Sequence, residues 1–257
     1  MYKVKQKYPI FILVCPFLLS MVFGHHSLSQ VCTPQKGFWN DYTGELKGQK
    51  IQLSYFTDIE GRIIGQYRFI QQSKMVYQLK GKQKGCELLM APDNNNESAG
   101  RFRFVKSPDS LVGNFDDADG QSIPVMLRLQ SSVGGTATQR YNELFGTTAE
   151  VETFAQQVRN AFVSNNTEWL AAHCRYPLII YLPSRKKLVV NSKQQFITNF
   201  KKCFSQAYRD KFKNLNCYNM FSNHLGAMLG KGEIWLNHTK ESNKERYAYC
   251  ISTINVF

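Results

Sequence analysis

The 257-residue chain reads as an α+β protein: an antiparallel β-rich half, then a half mixing helices with strands, behind an apolar leader. Three observations predict this. Short alternating runs bounded by turn residues recur through residues 30–130. From Thr147 onward the apolar period changes to three and four residues. Ile10 to Phe23 is almost wholly apolar and follows Lys3, Lys5 and Lys7. The expected organisation is a signal peptide over 1–29, a barrel-like antiparallel β-domain over 30–130, a linker over 131–147 and an α+β domain over 148–257.

The leader has a basic start, an apolar run broken by Pro16 and Ser20, and small residues at Ser27 and Ser29. This places cleavage after Ser29. The run is shorter than the roughly 20 residues a membrane span needs. Val14 before Cys15 does not suit a lipoprotein signal. The chain is therefore expected to be exported, periplasmic or secreted, with no transmembrane segment once the leader is removed.

Six cysteines follow the leader: Cys32, Cys86, Cys174, Cys203, Cys217 and Cys250. An even number behind an export signal predicts disulfides. If each half pairs internally, Cys32 joins Cys86 and the other four pair in one of three ways. No pair has CxxC spacing, so neither a zinc site nor a thioredoxin-type site is expected.

The formal charge of +13 is uneven. Residues 151–257 carry +9, residues 30–130 carry +2 and the leader carries +3. A positive field of this kind recruits an acidic protein or an anionic envelope component. Nucleic acid does not suit an exported chain.

In the first half, Ile51–Tyr55, Ile63–Phe69, Met75–Leu79, Cys86–Met90, Arg101–Val105, Leu111–Phe115 and Pro124–Leu129 read as seven strands. Glycines sit beside apolar residues at Tyr42-Thr43-Gly44, Ile64-Gly65 and Val112-Gly113. This half loosely resembles the glycine-punctuated β-sheet units of exported bacterial proteins. Asp116, Asp117 and Asp119 do not continue into a calcium loop, because Arg128 stands where its closing Glu is required. Asp119-Gly120 reads as a hairpin turn. No metal site and no cofactor are expected.

In the second half, Thr147 to Glu150 fits a capping box, and Val151, Phe154, Ala155, Val158 and Phe162 form one helical stripe. Asn166-Thr167-Glu168 opens a short second helix. Pro177–Leu182 and Lys187–Val190 read as a hairpin turning at Arg185-Lys186. Ser192 to Gln195 opens a third helix, with Phe196, Phe200, Cys203, Phe204 and Ala207 inward. Strands follow at 217–225, 233–237 and 247–256.

This order, the Arg175-Tyr176-Pro177-Leu178 step, the helix opening at Ser192 to Phe196, the Gly226-to-Trp235 strand pair and the closing Ile251–Asn255 run resemble the nuclear transport factor 2-like fold. That cone-shaped α+β domain is shared with ketosteroid isomerase. The resemblance covers residues 148–257 and implies a pocket between a curved sheet and the helices, and a possible homodimer through the open sheet face. It carries no catalytic motif across.

No GxSxG, HExxH, phosphate loop or dinucleotide fingerprint is present. Asn96, Asn165 and Asn237 are glycosylation sequons, relevant only in a glycosylating host. Across a hairpin, His224 and Glu233 are the candidate acid/base pair. The competing surface for an anionic partner is Lys193, Lys201, Lys202, Arg209, Lys211 and Lys213. The sequence therefore points to an exported, non-catalytic binding module, of which an inhibitor or immunity protein is one kind. The alternatives are a small-molecule enzyme using the cone pocket, with His224 and Glu233, and a purely structural envelope protein.

Overall fold

The computed structural model describes residues 36–71, 75–93, 100–183, 186–240 and 247–257. The leader, Cys32, Asn96 and Arg185 lie outside the described residues. Eight strands form a closed, fully antiparallel barrel in sequence order: β1 (Phe38–Leu46), β2 (Gln49–Thr57), β3 (Arg62–Phe69), β4 (Tyr77–Lys84), β5 (Glu87–Pro92), β6 (Arg101–Lys106), β7 (Ser110–Asp116) and β8 (Ser122–Gly134). Every second side chain of a barrel strand points inward, and in β4, β5 and β6 burial alternates accordingly, whereas β2 is buried on both faces from Ile51 to Thr57. Tyr42, Tyr55, Tyr67, Phe102, Phe104 and Phe115 fill the interior with Leu53, Met90 and Leu127. A Cβ on Gly113 would lie 1.9 Å from the Arg103 carbonyl oxygen, which is why that position carries no side chain.

β1 has no counterpart among the seven strands expected from the sequence. It pairs with both β2 and β8 and so closes the barrel. Its Asn40 and Asp41 are poor strand formers, yet both are buried here and hydrogen-bonded. Asp41 accepts from Ser54 Oγ at 2.7 Å and from Ser131 Oγ at 2.6 Å.

The segment expected to link the halves is also different. Ser131 to Gly134 belong to β8 and pair with β1. Arg140, Tyr141 and Leu144 beyond it are buried. This stretch interlocks the halves because its side chains find partners on both.

The described residues of the second half form a six-stranded sheet with four α-helices. The helices are α1 (Thr148–Val163), α2 (Thr167–Ala172), α3 (Lys193–Cys203) and α4 (Gln206–Asp210). The strands are β9 (Cys174–Tyr181), β10 (Lys187–Val190), β11 (Phe221–Asn223), β12 (Gly226–Leu229), β13 (Ile234–Lys240) and β14 (Tyr247–Asn255), in the spatial order β10-β9-β14-β13-β12-β11. β14 runs parallel to β9, and the other neighbours are antiparallel. Phe154, Val158 and Phe162 of α1 and Phe196 and Phe200 of α3 share one core with Leu178, Ile180, Leu229, Ile234 and Ile254 of the sheet.

Thr147 caps α1 as expected: its side chain accepts from Glu150 N–H, and the Glu150 carboxylate accepts from Thr147 N–H. The third helix is shorter than its apolar spacing suggests. It stops at Cys203, Ser205 caps α4, and Ala207 is turned out to solvent rather than inward.

Cys174, Cys203, Cys217 and Cys250 are buried free thiols, not the disulfides expected of the second half. Their burial in the core gives them the role of small apolar residues. Cys86 is disulfide-bonded.

Candidate anion-binding site

His224 and Glu233 do not come together. His224 lies with Leu225 in the exposed turn between β11 and β12, and Glu233 lies in the turn after β12. The whole of β12 separates them. Glu233 is buried, and its carboxylate accepts from Lys231 N–H at 2.6 Å. It fixes a turn in which Gly230 and Gly232 both have positive φ. An acid/base pair has no geometry here.

The six basic residues expected on one surface have separate occupations. Arg209 is turned back on the end of α3, donating to the Phe204 carbonyl and, at 2.6 Å, to Gln206 Oε1. Lys211 donates to the Phe257 carbonyl. Lys193, Lys201 and Lys202 are exposed on α3. Lys213 pairs with Asp210 at 2.7 Å and alone of the six lines a cleft.

That cleft lies between the barrel and the second half. It is lined by Arg68 and Gln71 from the barrel side and by Arg159, Lys213, Asn214, Asn216 and Tyr218, and encloses about 530 Å³. The outer wall of β1–β3 builds one side of the junction, because this wall is polar where a barrel wall normally meets water. Outward-facing Gln52 and Arg68 are register partners on β2 and β3. The chain segment from Leu215 to Met220 builds the other side. Asn216 Nδ2 donates to Gln52 Oε1 at 3.1 Å, and Gln66 Nε2 donates to Asn219 Oδ1 at 2.9 Å.

Three cations occupy the cleft at different depths. Arg68 is 4% exposed, Arg159 is half-buried and Lys213 is exposed. Arg68 donates to Gln52 Oε1 and, at 2.8 Å, to Asn216 Oδ1, and its guanidinium lies 4.1 Å from the Tyr218 ring centroid. Arg159 donates to Asn160 Oδ1 and to the Leu215 carbonyl. Among the described residues, neither arginine forms an ion pair, and no carboxylate lines the cleft.

Burial pushes the Arg68 guanidinium below its usual value, and the field of Glu152 opposes that shift. An arginine stays charged under these conditions. Arg68 is thus a buried cation whose hydrogen bonds go to amide oxygens and whose face meets Tyr218, with the Glu152 field but no carboxylate in direct contact to compensate it. Cys217 is also in the lining. Burial pushes its thiol up to about 11, with Arg159 and Arg68 pulling only partly the other way.

Arg68 and Arg159 were not among the residues singled out from the sequence. Arg68 sits in an alternating strand, where an outward arginine reads as solvated. Arg159 sits on the polar side of an amphipathic helix. Only the docking of Leu215 to Met220 on the barrel makes one site of them. Compared with known proteins, the chain matches no family model, no curated protein and no solved structure.

Proposed function

We propose that this chain is an exported, non-catalytic binding module that takes an anionic group of its ligand into the cleft between the two halves. One observation carries the reading: Arg68, Arg159 and Lys213 line a single cleft without a carboxylate in its lining. Their depth series suits a ligand that is drawn in at an exposed lysine and held at a buried arginine. The basic balance of residues 151–257 and the apolar leader support an exported protein with an anionic envelope component as partner. Exposed Lys193, Lys201 and Lys202 on α3 favour the second reading, an acidic protein bound by an inhibitor- or immunity-type module.

The reading of residues 148–257 as a nuclear transport factor 2-like cone is supported by the element order: two helices, a hairpin, further helices, then a run of strands. It implies no chemistry here, and the separation of His224 from Glu233 weighs against the enzyme alternative.

The test is calorimetric titration of the purified protein with inorganic phosphate, pyrophosphate and citrate at low and high salt. Saturable binding of a polyanion, weakened about tenfold in Arg159→Gln and by added salt, is the expected result. Absence of binding by all three at low salt, or equal binding by the variant, overturns the reading.

A further inference from the structure

A second surface, on the barrel wall away from β1–β3, carries its own signal. Val105, Val112 and Met126 are direct cross-strand partners on β6, β7 and β8. They face outward and are 54%, 47% and 51% exposed. Leu89 of β5, 53% exposed, pairs with Arg103 and stands diagonal to Val105. Four large apolar side chains therefore form one exposed cluster across four adjacent strands. Scattered exposed apolar residues need no explanation, but a contiguous cluster does.

The surrounding side chains set the chemistry. Lys82 is the register partner of Leu89, and Lys84 is the partner of Glu87 in the row of Val105 and Val112. Arg128 lies two residues beyond Met126 on the same face. All three cations are exposed and form no ion pair among the described residues. Arg103 is held by Asp116 at 2.9 Å, and Glu87 is the one carboxylate in the two rows. A shallow groove of about 670 Å³ runs between Lys82, Lys84, Leu89, Val105 and Val112.

We infer that this face docks on an anionic lipid bilayer. The aliphatic cluster suits the boundary between headgroups and acyl chains, and the rim of unpaired cations suits anionic headgroups. The same outward face carries Lys82, Arg101, Arg103 and Arg128, which fits a surface lying on headgroups rather than one crossing hydrocarbon. The inference stands on the barrel face alone and does not depend on the cleft.

The experiment is flotation of the protein, isolated from the producing cell, with phosphatidylglycerol/phosphatidylcholine vesicles and with pure phosphatidylcholine vesicles. Binding to the anionic vesicles only, weakened by salt, is expected. Lys82→Gln/Lys84→Gln lowers it roughly tenfold or more, since each cation near an anionic surface contributes about 1 kcal/mol. Val112→Ser/Met126→Ser lowers it as well, with only a small drop in melting temperature because both side chains are about half exposed. Equal binding of wild type and both variants overturns the inference, as does absence of binding to anionic vesicles. Concentration-dependent dimerisation that Val112→Ser/Met126→Ser abolishes, without vesicle binding, assigns the face to a second copy of the chain and also overturns it.

Discussion

The guanidinium of Arg140 donates to the carboxylate of Asp41, 99 residues away in sequence, and each residue is only 1% exposed. Arg140 also donates to Ser54 Oγ at 2.9 Å and to the Asn219 and Met220 carbonyls. One side chain thus ties β1, β2 and the Leu215–Met220 segment together. Removing it leaves Asp41 charged and buried without a cation. Arg140→Met is expected to cost about 3–5 kcal/mol. Asp41→Leu added to it should restore part of that loss, so the double variant is less destabilised than the two single losses added together. Urea unfolding of the three variants checks this. Additive losses would mean that the pair does not couple.

Glu152 gives the same seam a pH dependence. Burial raises its carboxyl above 4.5, against the pull of the Asn219 N–H, the Tyr141 hydroxyl, Arg140 and Arg68. The folded state therefore holds this proton more tightly than the unfolded chain does. Stability from Glu152 is greatest below the unfolded value, falls as pH rises from about 4.5 through the folded value, and is flat above it. Glu152→Gln removes the dependence while keeping an oxygen for the two donors that share Oε1, the Tyr141 hydroxyl and the Asn219 N–H. The difference in unfolding free energy, wild type minus variant, should decline with pH across that window. A difference that climbs instead would mean that the two arginines outweigh burial.

These two groups explain what the sequence could disclose. Alternation gave the inward-facing strands, because Leu53, Tyr67 and Phe102 obey the period of a one-sided sheet. Caps gave the helix starts, because Thr147 and Asn166 act on residues three positions ahead. β1 stayed hidden because Asn40 and Asp41 resemble a turn, and they become strand residues through Ser54 on β2 and through Ser131 and Ser132 on β8, about 90 positions away. The cleft stayed hidden for the same reason. Arg68 and Asn216 are 148 residues apart, and no local pattern relates them. Of the cysteines expected to be bridged, Cys86 is disulfide-bonded and the four of the second half are buried free thiols, because cysteine counting cannot distinguish a bridge from thiols in an apolar core.

The free state of these four thiols is itself testable. Burial raises the Cys250 and Cys217 thiols to about 11, and raises Cys174 and Cys203 as well. At pH 8 the native protein should react slowly with a thiol reagent at all four. Denaturation without a reductant should release them at once, giving Cys174, Cys203, Cys217 and Cys250 as modified sites in peptide mass spectra. Two bridges among them would instead leave all four unmodified until a reductant is added.

Arg68 separates a binding role from a structural one. Its two acceptors each keep another donor when it is removed: Gln52 Oε1 keeps Asn216 Nδ2 at 3.1 Å, and Asn216 Oδ1 keeps the Tyr218 N–H at 3.1 Å. Arg68→Met therefore orphans no acceptor and removes a buried, poorly compensated charge. Stability is expected to change by less than about 1 kcal/mol, with a gain as reasonable as a loss. Polyanion binding is expected to fall at least tenfold, since only the shallower, more strongly screened Arg159 and Lys213 are left. Thermal unfolding and calorimetric titration of the one variant give both readouts. A loss of several kcal/mol with unchanged polyanion affinity would make Arg68 part of the seam and leave the cleft without its inner cation.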